Sequence, residues 1–196
     1  MDAGKIKFTI TDTGESRGAA SYKYLMPDGD IHVTVDISSY NIDNTAGGKL
    51  GIALSTELPG DDCSIFGGSE RTIWFRYVNG DYSVFAGSVG VYSNEAFAQQ
   101  PTKLRIKWIK STGLWSFYAY VNGVWETIRE SISSTHREYL ILFMWVDYSG
   151  RGGNGSMDNL VFKYGCPDVS PTAWTTTTTS STTCSTCSTL STEPPP

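Results

Sequence analysis

Residues 103–127 decide the fold. They read Lys103-Leu104-Arg105-Ile106-Lys107-Trp108-Ile109, then Lys110-Ser111-Thr112-Gly113, then Leu114-Trp115-Ser116-Phe117-Tyr118-Ala119-Tyr120-Val121, then Asn122-Gly123 and Val124-Trp125-Glu126-Thr127. Leu104, Ile106 and Trp108 alternate with Lys103, Arg105 and Lys107, the period of a half-buried antiparallel strand. A loop over 110–113 pairs Ile109 with Leu114, and so sets Trp108 against Trp115 and Ile106 against Phe117. A loop one residue shorter would put Lys107 beside Phe117 and mix the faces, because a one-residue slip turns a whole strand over. Asn122-Gly123 suits a type I′ turn, where both central residues need positive φ, and it pairs Tyr120 with Trp125 and Tyr118 with Thr127. One face of this three-stranded unit is then apolar. The other carries Tyr118, Tyr120 and Trp125, flanked by Arg105 and Lys107.

The same period recurs outward from this stretch. Ile31, Val33, Val35 and Ile37 alternate with His32, Thr34 and Asp36, and Leu50, Ile52 and Leu54 with Lys49, Gly51 and Ser55. Leu140 to Val146 is a continuous apolar run, as expected of a central strand. Asn79-Gly80 marks a second tight hairpin. Roughly nine to eleven short strands and no capped helical period predict an all-β antiparallel sandwich. We place this domain at residues 1–168.

From Thr172 to Glu193 the chain is Thr or Ser at 16 of 22 positions, followed by Pro194-Pro195-Pro196. Such a segment buries too little apolar surface to offset its ordering entropy. Residues 169–196 are therefore expected to be an extended stalk or linker. Within it, Cys184-Ser185-Thr186, Cys187-Ser188-Thr189 and Leu190-Ser191-Thr192 repeat with a period of three, the period of polyproline II.

A net charge of −5 argues against sequence-independent nucleic-acid binding, which needs a basic surface. No run of 18 apolar residues is present to cross a bilayer as a helix. Met1 to Ala20 lacks the apolar core of a signal peptide, as expected of a virion protein or of a chain already processed.

The strands at 103–125 and the closing Gly155-Ser156-Met157-Asp158-Asn159-Leu160-Val161-Phe162 resemble the concanavalin A-like lectin/glucanase superfamily over about residues 30–165. The resemblance implies a jelly-roll sandwich of the laminin G-like or carbohydrate-binding-module type. Its members range from lectins to glucanases and viral surface proteins, so it implies a fold more than an activity. Retaining glucanases of the superfamily carry Glu-x-Asp-x-x-Glu or Glu-x-Asp-x-Glu. Here Glu126-Thr127-Ile128-Arg129-Glu130 has Ile128 where the Asp should stand. His32 reads as a surface residue, His136 lies far from it in sequence, and no Gly-x-Ser-x-Gly is present. The expectation is that the chain is not an enzyme. Carbohydrate-binding modules of this type often hold a structural Ca²⁺ through the Asp of the final Asp-Asn. The resemblance thus implies Asp158 as a ligand, with Asp12 or Glu15 as second ligands.

Sugars present C–H faces that stack on aromatic rings, while cations donate to their oxygens. Tyr118, Tyr120, Trp125, Arg105 and Lys107 are accordingly the expected ligand-binding residues, facing a glycan or cell-surface polysaccharide. Two readings follow: a glycan-binding or adhesive module displayed on a Thr-rich stalk, and a structural subunit of a virion or extracellular filament. Both place the chain outside the cell, at a cell surface or on a virion.

Four cysteines admit three pairings, and the sequence does not choose among them. We carry forward a Cys63–Cys166 bond, with Cys184 and Cys187 left for links between tails; this implies an oxidising compartment. In a polyproline II segment Cys184 and Cys187 stand about 9 Å apart along the axis, from a rise of about 3.1 Å per residue. That exceeds the roughly 7 Å that one disulfide spans between Cα atoms. The tails should then self-associate covalently. Non-reducing electrophoresis of protein from its native source is expected to show a dimer or larger species that collapses with reductant. One monomer band under both conditions, with Cys184 and Cys187 open to alkylation, would make the tail a plain linker.

Overall fold

The structure is a computed structural model, and it describes residues 6–10, 17–26, 29–42, 48–56, 71–88, 91–137, 139–146, 153–164 and 188–190. Thirteen strands form two antiparallel sheets packed as a sandwich. The first sheet runs in the order β1 (Ile6–Ile10), β12 (Gly153–Tyr164), β3 (Ile31–Ile42), β8 (Lys103–Ile109), β9 (Leu114–Val121) and β10 (Val124–Ser133). The second runs β2 (Arg17–Leu25), β11 (Tyr139–Val146), β4 (Lys49–Ser55), β5 (Arg71–Val78), β6 (Asp81–Ser88) and β7 (Val91–Phe97).

The register read from the sequence is the register observed. Trp108 pairs with Trp115, Ile106 with Phe117 and Arg105 with Tyr118. The 110–113 loop is closed by Thr112 and Gly113 N–H groups donating to Ile109 O at 3.2 and 2.8 Å. Gly113 supplies the left-handed φ of +67° that this loop needs. At both Asn-Gly turns the two central residues have positive φ, as type I′ geometry requires. Leu140–Met144 is buried throughout, because β11 lies between β2 and β4.

The inward residues of both sheets make one core. Ile31, Val33 and Val35 of β3, Leu104 and Ile106 of β8 and Phe117 of β9 meet Leu50 and Ile52 of β4, Phe75 of β5 and Leu142 of β11. Tyr40 ties the layers together. It stands on β3 of the first sheet, yet its ring packs 4.8 Å from Phe75 of the second. Its hydroxyl donates to Gly48 O at 2.7 Å and accepts from Tyr77 N–H at 3.2 Å.

Two expectations change here. His32 is buried rather than a surface residue, because it stands across from the long side chain of Lys107, itself buried. In the tail, Ser188–Leu190 is not polyproline II but a short strand, β13, paired with Phe162–Tyr164 of β12. The pairing has a simple cause: β1 covers only Gly153–Met157 of that edge and leaves backbone groups beyond it unpaired. Cys63, Cys166, Cys184, Cys187 and the domain boundary at 168 lie outside the described residues.

Burial raises the Tyr40 pKa to about 12. The folded state thus favours the neutral phenol, whose ordinary pKa is near 10. The stability this gives is complete below about pH 10 and is lost as pH rises toward about 12. Tyr40→Phe removes both hydrogen bonds and should cost about 1–3 kcal/mol at neutral pH. Urea denaturation is expected to show the gap between wild type and variant narrowing above pH 10. A gap that stays constant up to about pH 12 would mean that the phenol does not titrate with unfolding.

Candidate functional site

Each sheet has an outward face, and both carry aromatic residues beside cations. On the first sheet the five residues picked out by alternation do come together. Trp125 is opposite Tyr120, with ring centroids 5.1 Å apart, and the Arg105 guanidinium lies 3.7 Å from the Trp125 ring centre. Lys107 Nζ lies 5.8 Å from the Tyr118 ring. The assembly is less open than alternation implied, however. Arg105 is 3% exposed, Lys107 5% and Tyr118 8%, while Tyr120 and Trp125 are half-buried. The long side chains lie across one another and roof their own strands.

The groups of this face largely satisfy each other. Arg105 Nε donates to Thr34 Oγ1 at 3.1 Å, and the Tyr118 hydroxyl donates to Glu130 Oε1 at 3.0 Å. Lys103 Nζ meets Asp36 Oδ1 at 2.6 Å, and Asn159 Nδ2 donates to Asp36 Oδ2 at 3.0 Å. Burial lowers the Arg105 pKa to about 10, opposed by the charge of Tyr118, so the guanidinium is still protonated at neutral pH.

Among the described acidic candidates, Asp158 stands on β12 and Glu126 and Glu130 on β10. Asp158 sits at a bulge of β12, and its Oδ1 accepts from the N–H of Asn159, whose φ is +47°. Asp12 and Glu15 lie outside the described residues, and among those described no group of three His, Cys, Asp or Glu could hold a metal ion. Glu126 and Glu130 fall on opposite sides of the first sheet. Glu126 pairs with the core residue Ala119 and lines a shallow cleft of about 300 Å³ with Phe97, Gln99 and Asn122. A bulge after Thr127 shifts the alternation, and Glu130 emerges beside Tyr118.

Sequence reading missed the outward face of the second sheet. A separate apolar cluster lies there: Ala53, Trp74, Ile141 and Phe143, with Phe85 against them. The Asn79-Gly80 turn sets Trp74 opposite Phe85, and their rings stack at 4.1 Å and 11°. Tyr92 of β7 meets Trp74 edge-on at 5.9 Å. Gly51 of β4 lies directly across from Trp74. A Cβ there would collide with the backbone of Ile73 and with Trp74 itself, so glycine allows the indole to sit close over β4. Two cations reach over the rings: Lys49 Nζ is 5.2 Å from Trp74, and the Arg76 guanidinium 5.0 Å from Phe85.

Three polar atoms on this face stand in a row along β5. Thr72 Oγ1, Trp74 Nε1 and Arg76 Nε are buried and have no hydrogen-bond partner among the described residues. Thr72 is 0% exposed and Trp74 5%. Each buried unpaired group costs about 1–3 kcal/mol, and Trp115 Nε1 in the core is buried without a partner in the same way. The signal was present in the sequence. Extending the Asn79-Gly80 hairpin by its two-residue register puts Trp74 beside Phe85, as the Asn122-Gly123 hairpin puts Tyr120 beside Trp125.

No protein-family model and no curated protein sequence matches the chain. Solved structures do match. A legume lectin-like domain from Entamoeba histolytica superposes with a TM-score of 0.53 at 16% identity, covering 81% of this chain and 89% of that one. A functionally unknown protein from Saccharomyces cerevisiae gives 0.51 at 15% identity, covering 84% and 90%. Enzymes also stand among the matches. A β-glucanase from Bacillus licheniformis gives 0.41 at 13% identity, covering 81% and 77%, and two alginate lyases match as well. The expectation that the chain is not an enzyme is withdrawn on that finding. It rested on the missing glucanase and serine-hydrolase signatures, and a scaffold that hosts several chemistries is not characterised by the absence of some of them. At these identities the likeness is one of architecture: the chain has the concanavalin A-like jelly-roll fold.

Proposed function

We propose that this protein binds carbohydrate on the outward face of its second sheet. The observation that carries the reading is the row of buried, unpartnered atoms Thr72 Oγ1, Trp74 Nε1 and Arg76 Nε beside the stacked Trp74–Phe85 pair. The row offers two N–H donors and a hydroxyl, which suits a ligand rich in oxygen acceptors. The rings offer the flat apolar surface on which the C–H face of a sugar packs. Lys49 and Arg76 lie over those rings in the free protein. Each cation–π contact is worth about 0.5–2 kcal/mol, and both side chains are long and flexible, so a sugar can displace them and then be held by them. The lectin-like domain with the same architecture supports the class of ligand.

The half-buried pair Tyr120 and Trp125, with Arg105, is a second surface of the same composition. Several of its polar groups are already engaged with one another. A Thr/Ser-rich tail suits a surface or adhesive module. A subunit of a virion or filament is the alternative, favoured by the paired cysteines of that tail.

The two faces are separated by retention on a glycan array. Trp74→Ala and Phe85→Ala are expected to weaken retention about tenfold or more, a change of about 1.4 kcal/mol or above, while Tyr120→Ala and Trp125→Ala leave it intact. Tyr92→Ala serves as a milder probe should loss of the buried indole unfold the domain, with circular dichroism reporting the fold. Loss with Trp125→Ala but not with the Trp74, Phe85 or Tyr92 variants would move the site to the first sheet. Wild-type protein that retains no glycan would end the carbohydrate reading. Tyr118→Ala and Trp74→Ala each truncate a buried ring and should cost about 3–5 kcal/mol of stability, so Phe85→Ala and Tyr92→Ala carry the binding test.

A further inference from the structure

We infer that the carbohydrate taken by this face is acidic, carrying carboxylate or sulfate groups. The inference rests on reading the outward face of the second sheet as the carbohydrate site. The whole chain holds 15 Lys and Arg against 20 Asp and Glu. The six strands of the second sheet reverse that balance. Their bases are Arg17, Lys23, Lys49, Arg71 and Arg76; Arg71 pairs with the inward residue Leu54, and Lys49 and Arg76 are the ones shown over the rings. Their acids are Asp81 and Glu95 alone, both on the outermost two strands. Asp81 opens β6 opposite Val78, at the turn end of the hairpin, and Glu95 pairs with the inward residue Val84. Neither stands beside Trp74.

Placement sharpens the charge argument. Arg76 and Lys49 lie across the two stacked rings, where a bound sugar would lie, and not at the rim. A guanidinium and an ammonium donate hydrogen bonds and accept none. Trp74 Nε1 and Arg76 Nε, both buried without a partner among the described residues, are donors as well. A neutral sugar hydroxyl both donates and accepts, so a set dominated by donors uses half of its capacity. A carboxylate or sulfate only accepts, and Arg binds such groups through two parallel N–H bonds. A protein of net charge −5 repels a polyanion at long range, so the attraction has to come from this face.

The test is a glycan array holding neutral glycans beside the sialylated, uronate and sulfated forms of the same backbones, read with wild type, Arg76→Gln, Lys49→Gln and Phe85→Ala. The expected result is retention of acidic forms at least about tenfold above their neutral counterparts, falling as salt rises from 50 to 200 mM, since exposed charge attraction is screened over that range. Arg76→Gln and Lys49→Gln should remove most of the preference for acidic forms, and Phe85→Ala should remove binding itself. Equal retention of neutral and acidic forms, lost with Phe85→Ala and unchanged by the two charge variants, overturns the acidic ligand and leaves the carbohydrate site standing. An acidic preference that survives both charge variants places its origin elsewhere and also overturns the inference. Absence of retention for every form removes the site and the inference together.

Discussion

Everything in this molecule depends on strand register. A side chain's face is set by the parity of its position, and parity is set by the turns. The loop closed on Ile109 O and the two Asn-Gly turns fix it for β8–β9, β9–β10 and β5–β6. From those three hairpins it follows that Trp108, Trp115 and Phe117 enter the core while Tyr118, Tyr120 and Trp125 leave it. It follows equally that Ile73 and Phe75 go inward while Trp74 goes outward. Where a bulge intervenes, as after Thr127, parity changes and the carboxylates of Glu126 and Glu130 part company.

The two outward faces show how the same composition reaches different states. On the first sheet, Thr34, Asp36 and Glu130 supply oxygens for Arg105, Lys103 and Tyr118, and Asn159 donates its amide to Asp36. Charge and hydrogen bonding thus engage several groups of that layer with one another. On the second sheet, the neighbours of β5 across the ladder are Gly51 and Ala53 on one side and Phe85 on the other. None of these carries a polar side chain to meet Thr72 or Trp74, while Arg76 stands opposite Ser83. The contrast lies in what the adjacent strands offer, not in the aromatic or cationic content of either face.

Much of the architecture was legible in the sequence, because alternation and turn chemistry are local. The β8–β9–β10 unit could be read residue by residue from Trp108, Gly113 and Asn122-Gly123. Burial could not be read in the same way. His32, Arg105 and Lys107 look exposed by residue type, yet each is covered by side chains from neighbouring strands that are distant in sequence. The Trp74–Phe85 site stayed hidden for a related reason. Arg71-Thr72-Ile73-Trp74-Phe75 contains large apolar residues at adjacent positions, so alternation reports a strand buried on both faces and gives no hint that one face is a surface. Burial of polar atoms without partners is a property of three-dimensional surroundings, and no pattern along the chain carries it.

The strand order has an evolutionary consequence. Lys49, Gly51, Thr72, Trp74, Arg76, Phe85 and Tyr92 come from β4, β5, β6 and β7, which are consecutive in the chain and neighbours in the sheet. The proposed binding surface is thus one unbroken genetic segment, while the engaged polar layer of the first sheet is assembled from β3, β8, β9, β10 and β12. A recombination event that exchanges β4 through β7 could replace a whole ligand preference in one step and leave that layer untouched. The inward residues, among them Leu50, Ile52, Leu54, Ile73, Phe75, Val84 and Ala86, would constrain such an exchange, since they must still fit the opposite sheet, and β4 must still pair with β11. Diversity among relatives of this molecule should therefore arrive in blocks on one side of the sandwich, and as single compensated changes on the other.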